Sequence, residues 1–175
     1  MRKRGMQTIL GASGQIGTEV ARALRREFTS DIRLVSRSPE HVNETDERVS
    51  ADLLDAAQAR RAVAGSKIAY LTVGLPMDTR RWVEQWPVLM RNAIDACAAE
   101  GTKLVFFDNT YMYPQTDRPQ TEDTPFRPFG EKGRVRASIA RDLLGAMEIG
   151  RIEALIARAP EFYGPGKSQS ITNAT

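Results

Sequence analysis

An apolar run that ends in three evenly spaced glycines constrains this chain more than any other stretch. "MQTIL" (6–10) reads as a buried strand, and Gly14 to Glu27 reads as a helix whose inner face carries Ile16, Val20, Ala23 and Leu24. Between them lies "GASGQIG", with Gly11, Gly14 and Gly17 three residues apart. A strand that turns through glycines straight into a helix is the context of a phosphate-binding turn. Gly11 lets the chain turn tightly, Gly14 leaves room for a pyrophosphate beside the backbone, and Gly17 lets helix and sheet approach closely. The amides around Ser13, Gln15 and Ile16 then face the anion, favoured by the helix dipole.

The rest of the chain repeats this alternation. Strands are predicted at 31–36, 47–52, 67–73, 102–107 and 151–159, and helices near 54–63, over 78–99 and near 131–148. Trp82, Trp86, Leu89, Ala93 and Cys97 fall on one face of the 78–99 stretch, so Cys97 reads as packing. Pro87 interrupts that stretch, and either a kink or a new helix is expected there. A polar, proline-rich loop spans 108–129. Alternating strands and helices argue for a doubly wound, Rossmann-like α/β domain with a parallel sheet covered on both faces. Its 175 residues suffice for one such domain. We assign 1–160 to the dinucleotide-binding domain and 161–175 to a short remnant of a substrate-binding region or tail.

Charge and cysteine content exclude several classes. The 25 basic and 22 acidic side chains leave only +3. No basic stripe with interleaved aromatics appears, so nucleic acid is not expected as a partner. No run reaches the ~20 apolar residues of a membrane span. One cysteine permits no intramolecular disulfide, which fits a cytoplasmic setting. His41, the only histidine, stands in a polar run, so neither a His/Cys metal site nor a Ser-His-Asp triad is expected.

The end of the second strand speaks to which dinucleotide binds. "IRLVSRSP" offers Ser36 and Arg37 and no carboxylate. An acid there would hold the ribose hydroxyls of NAD, whereas an arginine pairs with the 2′-phosphate of NADP. NADP is therefore the expected cofactor, with NAD the alternative, unless Arg37 is simply a surface residue. Asp52 and Leu53 are placed under the adenine, though a helix N-cap accounts for Asp52 equally well. Gly74, in "TVGLP", lets backbone run close to the cofactor.

Taken in order, "GASGQIG", "ADL", "VGLP", "FFDNTYMYP" and "RAPEFYGPG" resemble the extended short-chain dehydrogenase/reductase superfamily, in particular its NAD-dependent epimerase/dehydratase branch. That resemblance implies oxidation or reduction of a hydroxyl or carbonyl on a sugar nucleotide or related small molecule. It also implies a Tyr and a Lys four residues apart, plus a Ser or Thr. The tyrosine transfers the proton, and the lysine holds the nicotinamide ribose and lowers the tyrosine pKa.

This chain departs from that pattern. Lys132 is the one plausible lysine, but Pro128 stands four residues before it; the alternative frame pairs Phe129 with Gly133 and loses both groups. The Ser/Thr position falls on Asn109, with Thr110 beside it, and an asparagine of the preceding helix is replaced by about Trp86. Tyr111 or Tyr113 is the substitute acid/base, with Lys132 as its cation; the competing view makes both tyrosines packing residues. Asp108 and Glu161 are further ligand-side candidates, with capping of the following turn the alternative for Asp108. Relatives of this kind carry much more chain after the sixth strand. Two functions follow: an NADP-dependent oxidoreductase or epimerase, or a non-catalytic NADP sensor that has lost the tyrosine. A homodimer through helices 78–99 and 131–148 is expected from the resemblance, and Trp82 and Trp86 either anchor it or pack on the chain's own sheet.

Overall fold

A computed structural model describes residues 5–160. Six strands form one sheet: β1 (Met6–Leu10), β2 (Ile32–Ser36), β3 (Glu47–Ser50), β4 (Ser66–Leu71), β5 (Lys103–Asp108) and β6 (Ala154–Arg158). Every pairing is parallel and the order is β3-β2-β1-β4-β5-β6. The order reverses between β1 and β4, which opens a crevice at the carboxyl ends of those two strands. The expected Rossmann-like α/β architecture is therefore the one observed. Residues 161–175, including Glu161 and the expected tail, lie outside the described residues.

The four helices are α1 (Gln15–Glu27), α2 (Ala56–Val63), α3 (Thr79–Glu100) and α4 (Gly130–Glu148). They do not share the two faces equally. Ala21 and Leu24 of α1 pack with Ile9, Ile32 and Leu34 on one side. Helices α2, α3 and α4 build the larger core on the other, around Leu10, Leu71, Trp86, Leu104 and Phe106. Cover by α1 stops short of β6, where Leu155 is exposed. No helix joins β2 to β3, so the chain reaches the second face only through α2.

The inner face of α1 is centred on Gly17, Ala21 and Leu24. Val20 flanks it, while Ile16 and Ala23 are only half-buried. Pro87 starts no new helix: α3 runs unbroken from Thr79 to Glu100. The carbonyl that its ring deprives of a donor belongs to Val83, an exposed residue, so water can satisfy it. Asp78 caps α3 by accepting from the Arg81 amide, and Gly101 ends it at φ +64°. The five predicted core residues of α3 are all buried, Cys97 completely.

Candidate functional site

The turn after β1 is held from two neighbouring strands. Gly11 and Ala12 donate their amides to the Val35 carbonyl of β2. On the other side, Thr72, just past β4, donates through Oγ1 to the Leu10 carbonyl at 3.2 Å. Gly11 has φ +96°, and a β-carbon there would lie 2.7 Å from the Val73 nitrogen. A β-carbon on Gly17 would lie 2.7 Å from the Gly11 carbonyl oxygen and 2.8 Å from the Ala12 α-carbon. Gly14 is the N-cap of α1 and donates its amide to the Gly11 carbonyl at 3.1 Å. With no capping side chain, the first amides of α1, from Gln15, Ile16 and Gly17, have no acceptor within the helix. Sequence reasoning missed Thr72; its only signal was its place at the end of β4.

Beside the turn, the end of β2 carries a hydroxyl platform. Ser13 Oγ lies 2.7 Å from Ser36 Oγ and donates to the Ser38 carbonyl at 3.1 Å. Ser50 fixes the next residue by donating to the Arg37 carbonyl at 2.8 Å. The Arg37 side chain is exposed, and among the described residues no carboxylate pairs with it. Past β3, Asp52 is not the N-cap of α2. That position belongs to Asp55, whose carboxylate accepts from the Gln58 amide and is thereby held below the usual range. Asp52 instead accepts from the Leu54 amide. The Leu53 side chain is part of the core, and its carbonyl accepts from Asn92. Gly74 faces open space.

The second half of the site lies past β5. Thr110, Tyr111, Tyr113 and Lys132 line one cleft of about 500 Å³, together with Phe129 and Gly133. Asn109 is not among its lining residues; its Oδ1 accepts from the Tyr111 amide, which shapes the turn. Tyr111 is 41% exposed and stacks on Trp82, ring centroids 6.1 Å apart. Tyr113 is buried against Phe126, and its hydroxyl accepts from Arg158 Nη1 at 3.0 Å. Lys132 donates to the Met77 carbonyl at 2.9 Å and sits 5.7 Å from the Trp82 ring centre.

Below the cleft, Asp108 is fully buried between two guanidiniums. Arg136 donates to its Oδ1 through Nε and Nη2, and Arg158 donates to its Oδ2 at 3.3 Å. Burial pushes Arg136 below its ordinary value while Asp108 acts against that. Arg136 also lies 4.3 Å from the centre of the Trp86 ring. Trp82 and Trp86 are thus packed inside the chain, 5% and 2% exposed. Among the described residues no group of His, Cys, Asp and Glu could hold a metal ion, and no helix is long and apolar enough to cross a membrane. His41 is exposed in its loop.

Residues 8–174 match the model of the NAD dependent epimerase/dehydratase family. No curated protein sequence matches the chain. Among solved structures it is similar to MoeE5 in complex with UDP-glucose and NAD, at 21% identity and a TM-score of 0.77 over 94% of this chain and 57% of that one. It is similar to UDP-glucose 4-epimerase of Thermus thermophilus in complex with NAD, at 18% identity and a TM-score of 0.79 over 93% and 57%. Uronate dehydrogenase from Agrobacterium tumefaciens is similar at 24% identity and a TM-score of 0.72 over 85% and 58%. At these identities the likeness is one of fold. The chain spans under three-fifths of the length of each of these neighbours.

Proposed function

The chain belongs to the NAD dependent epimerase/dehydratase family, and from that premise we propose that it binds a nicotinamide dinucleotide across the β1–β4 crevice and acts on a hydroxyl or carbonyl of a small molecule. The observation that carries this reading is the glycine turn, whose positions 11 and 17 leave no space for a side chain. The residues fit the cofactor. Ser13, Gln15 and Ile16 would meet the pyrophosphate with backbone amides, and Gly74 leaves the backbone past β4 open to it. Arg37, beside the Ser13–Ser36 hydroxyl pair, favours the 2′-phosphate of NADP over NAD. Asp52 and the Leu53 backbone stand on the adenine side, and Lys132 on the ribose side. Bound there, the nicotinamide ring supplies or accepts a hydride.

The proton belongs to the protein. Tyr111 is the better candidate for it, because it is the more exposed of the two and the Tyr113 hydroxyl is engaged by Arg158. Thr110 faces the same cleft and can hold the substrate oxygen; Asn109 shapes the turn that presents both. A sugar nucleotide, of the kind named for two structural neighbours, is one such substrate. A cytoplasmic homodimer through α3 and α4 is part of the same proposal. With both tryptophans internal, its contact would fall on exposed Val83 and Leu144. The second reading, a cofactor sensor without turnover, is favoured by Pro128 standing four residues before Lys132, where the resemblance expects a tyrosine, and by the alternative frame of Phe129 and Gly133 losing both groups.

The test is titration of the purified chain with NADPH, NADH and their oxidised forms, with Arg37→Ala in parallel. NADPH is expected to bind better, and Arg37→Ala to erase that preference. Binding of neither cofactor would overturn both readings. Turnover on a carbonyl or sugar-nucleotide panel that Tyr111→Phe abolishes supports the enzyme; tight binding with no turnover supports the sensor.

A further inference from the structure

We infer that the cleft between the loop after β5 and the start of α4 takes a small organic anion, held at Lys132 and laid against the rings of Tyr111 and Phe129. The inference rests on the reading above for treating this cleft as the substrate side, and adds the chemical class of the occupant.

Lys132 is the one charged residue among those lining the cleft. Its ammonium has three hydrogens to donate, so the ribose contact proposed above and an anion can share it with the Met77 carbonyl. One goes to the Met77 carbonyl, and no carboxylate lies within ion-pair distance of it among the described residues. The layer behind the cleft adds to the imbalance. Asp108 alone serves both Arg136 and Arg158, and Arg158 Nη2 is buried with no hydrogen-bond partner among the described residues. Arg158 Nη1 donates to the hydroxyl of Tyr113, itself a lining residue. Lys132 in the lining is thus backed by two arginines that share the single carboxylate of Asp108. Surplus charge of one sign at a concave surface focuses its field into the cavity and favours the opposite charge there.

The rim supplies the second half of the specificity. Phe129 is 77% exposed at the N-cap of α4, and Tyr111 is 41% exposed across the cleft. Packing explains neither exposure, and exposed apolar surface at a cleft marks a contact surface. A flat or apolar body can lie on these rings while its anionic group reaches Lys132. One lysine without an arginine fork suits a single carboxylate better than a diphosphate, which recruits several donors.

The experiment is calorimetric titration of the full chain with benzoate, its neutral analogue benzamide, and UDP-glucose, with NADPH titrated in parallel. Benzoate is expected to bind and benzamide not. Lys132→Gln should weaken benzoate roughly tenfold or more, as expected for loss of a charge-assisted bond, and Lys132→Arg should retain it. UDP-glucose binding tighter than benzoate, with the same loss in Lys132→Gln, keeps the anion site and assigns it to a diphosphate. Benzamide binding as well as benzoate, or a Lys132→Gln protein with unchanged affinity and a native circular dichroism spectrum, overturns the proposal. NADPH binding without either anion removes the anion site alone. Anion binding without NADPH removes the cofactor reading alone.

Discussion

A β-carbon on Gly133 would lie 2.7 Å from the carbonyl oxygen of Tyr111. In the alternative frame, where Gly133 takes the place of the lysine, that position is packed against backbone of the loop after β5. That loop cannot retreat freely, because Tyr113 in the same turn is clamped by Arg158 and Phe126.

Gly133→Ala should destabilise the chain by about 1–3 kcal/mol, the cost of forcing a methyl group into packed backbone. The midpoint of a urea titration measures it. Phe129→Tyr combined with Gly133→Lys should accordingly not raise turnover, since the new lysine displaces the loop that carries Tyr111.

Gly17→Ala strikes a different contact with a different readout. Its β-carbon would push α1 away from the Gly11 carbonyl and the Ala12 α-carbon, and so move the helix amides out of line with the turn. NADPH affinity is expected to fall by an order of magnitude or more, because the proposed anion grip consists of those amides, with a smaller drop in thermal stability. Unchanged affinity in a folded Gly17→Ala protein would show that the turn does not set the grip.

Asp108→Asn removes the one negative charge between the buried Arg136 guanidinium and the partly buried Arg158 guanidinium. Breaking a buried ion pair from one side typically costs about 3–5 kcal/mol. Arg158→Lys should cost less, because Arg136 keeps its two bonds to Asp108 Oδ1. Chemical denaturation of both variants tests the ranking, and a larger loss in Arg158→Lys would reverse it.

Cys97 should be inert in the native protein. Burial pushes its thiol up from 9.0 to about 12, so a thiol reagent at neutral pH is expected to label it only after unfolding. Below pH 9.0 the thiol is protonated in both states and its contribution to stability is complete. As pH rises the unfolded chain loses its proton first, so native stability declines between pH 9.0 and about 12. Cys97→Ala should flatten that decline relative to the parent chain.

Local pattern was enough to determine the architecture of this protein. Strand and helix periods, together with glycines at 11, 14 and 17, fix a parallel sheet with an anion-ready turn, because each depends on residues adjacent in sequence. Helix α3 shows the limit of such signals. Pro87 argues for a break, yet the cores on either side of it are continuous and the carbonyl it orphans belongs to the exposed Val83, so packing overrides the local rule.

The chemistry past β5 was decided only by tertiary structure. Sequence offers both Tyr111 and Tyr113, and both line the cleft; they part because Arg158, 45 residues beyond Tyr113, engages the Tyr113 hydroxyl. Asp108 reads as a ligand-side acid until Arg136 and Arg158 close on it from α4 and β6. Trp82 and Trp86 read as interface anchors or core with equal force, and the sheet face behind them makes them core. In each case the deciding partner lies on another element. Which polar group is spent on structure and which remains for a ligand depends on that pairing, and no spacing along the chain encodes it.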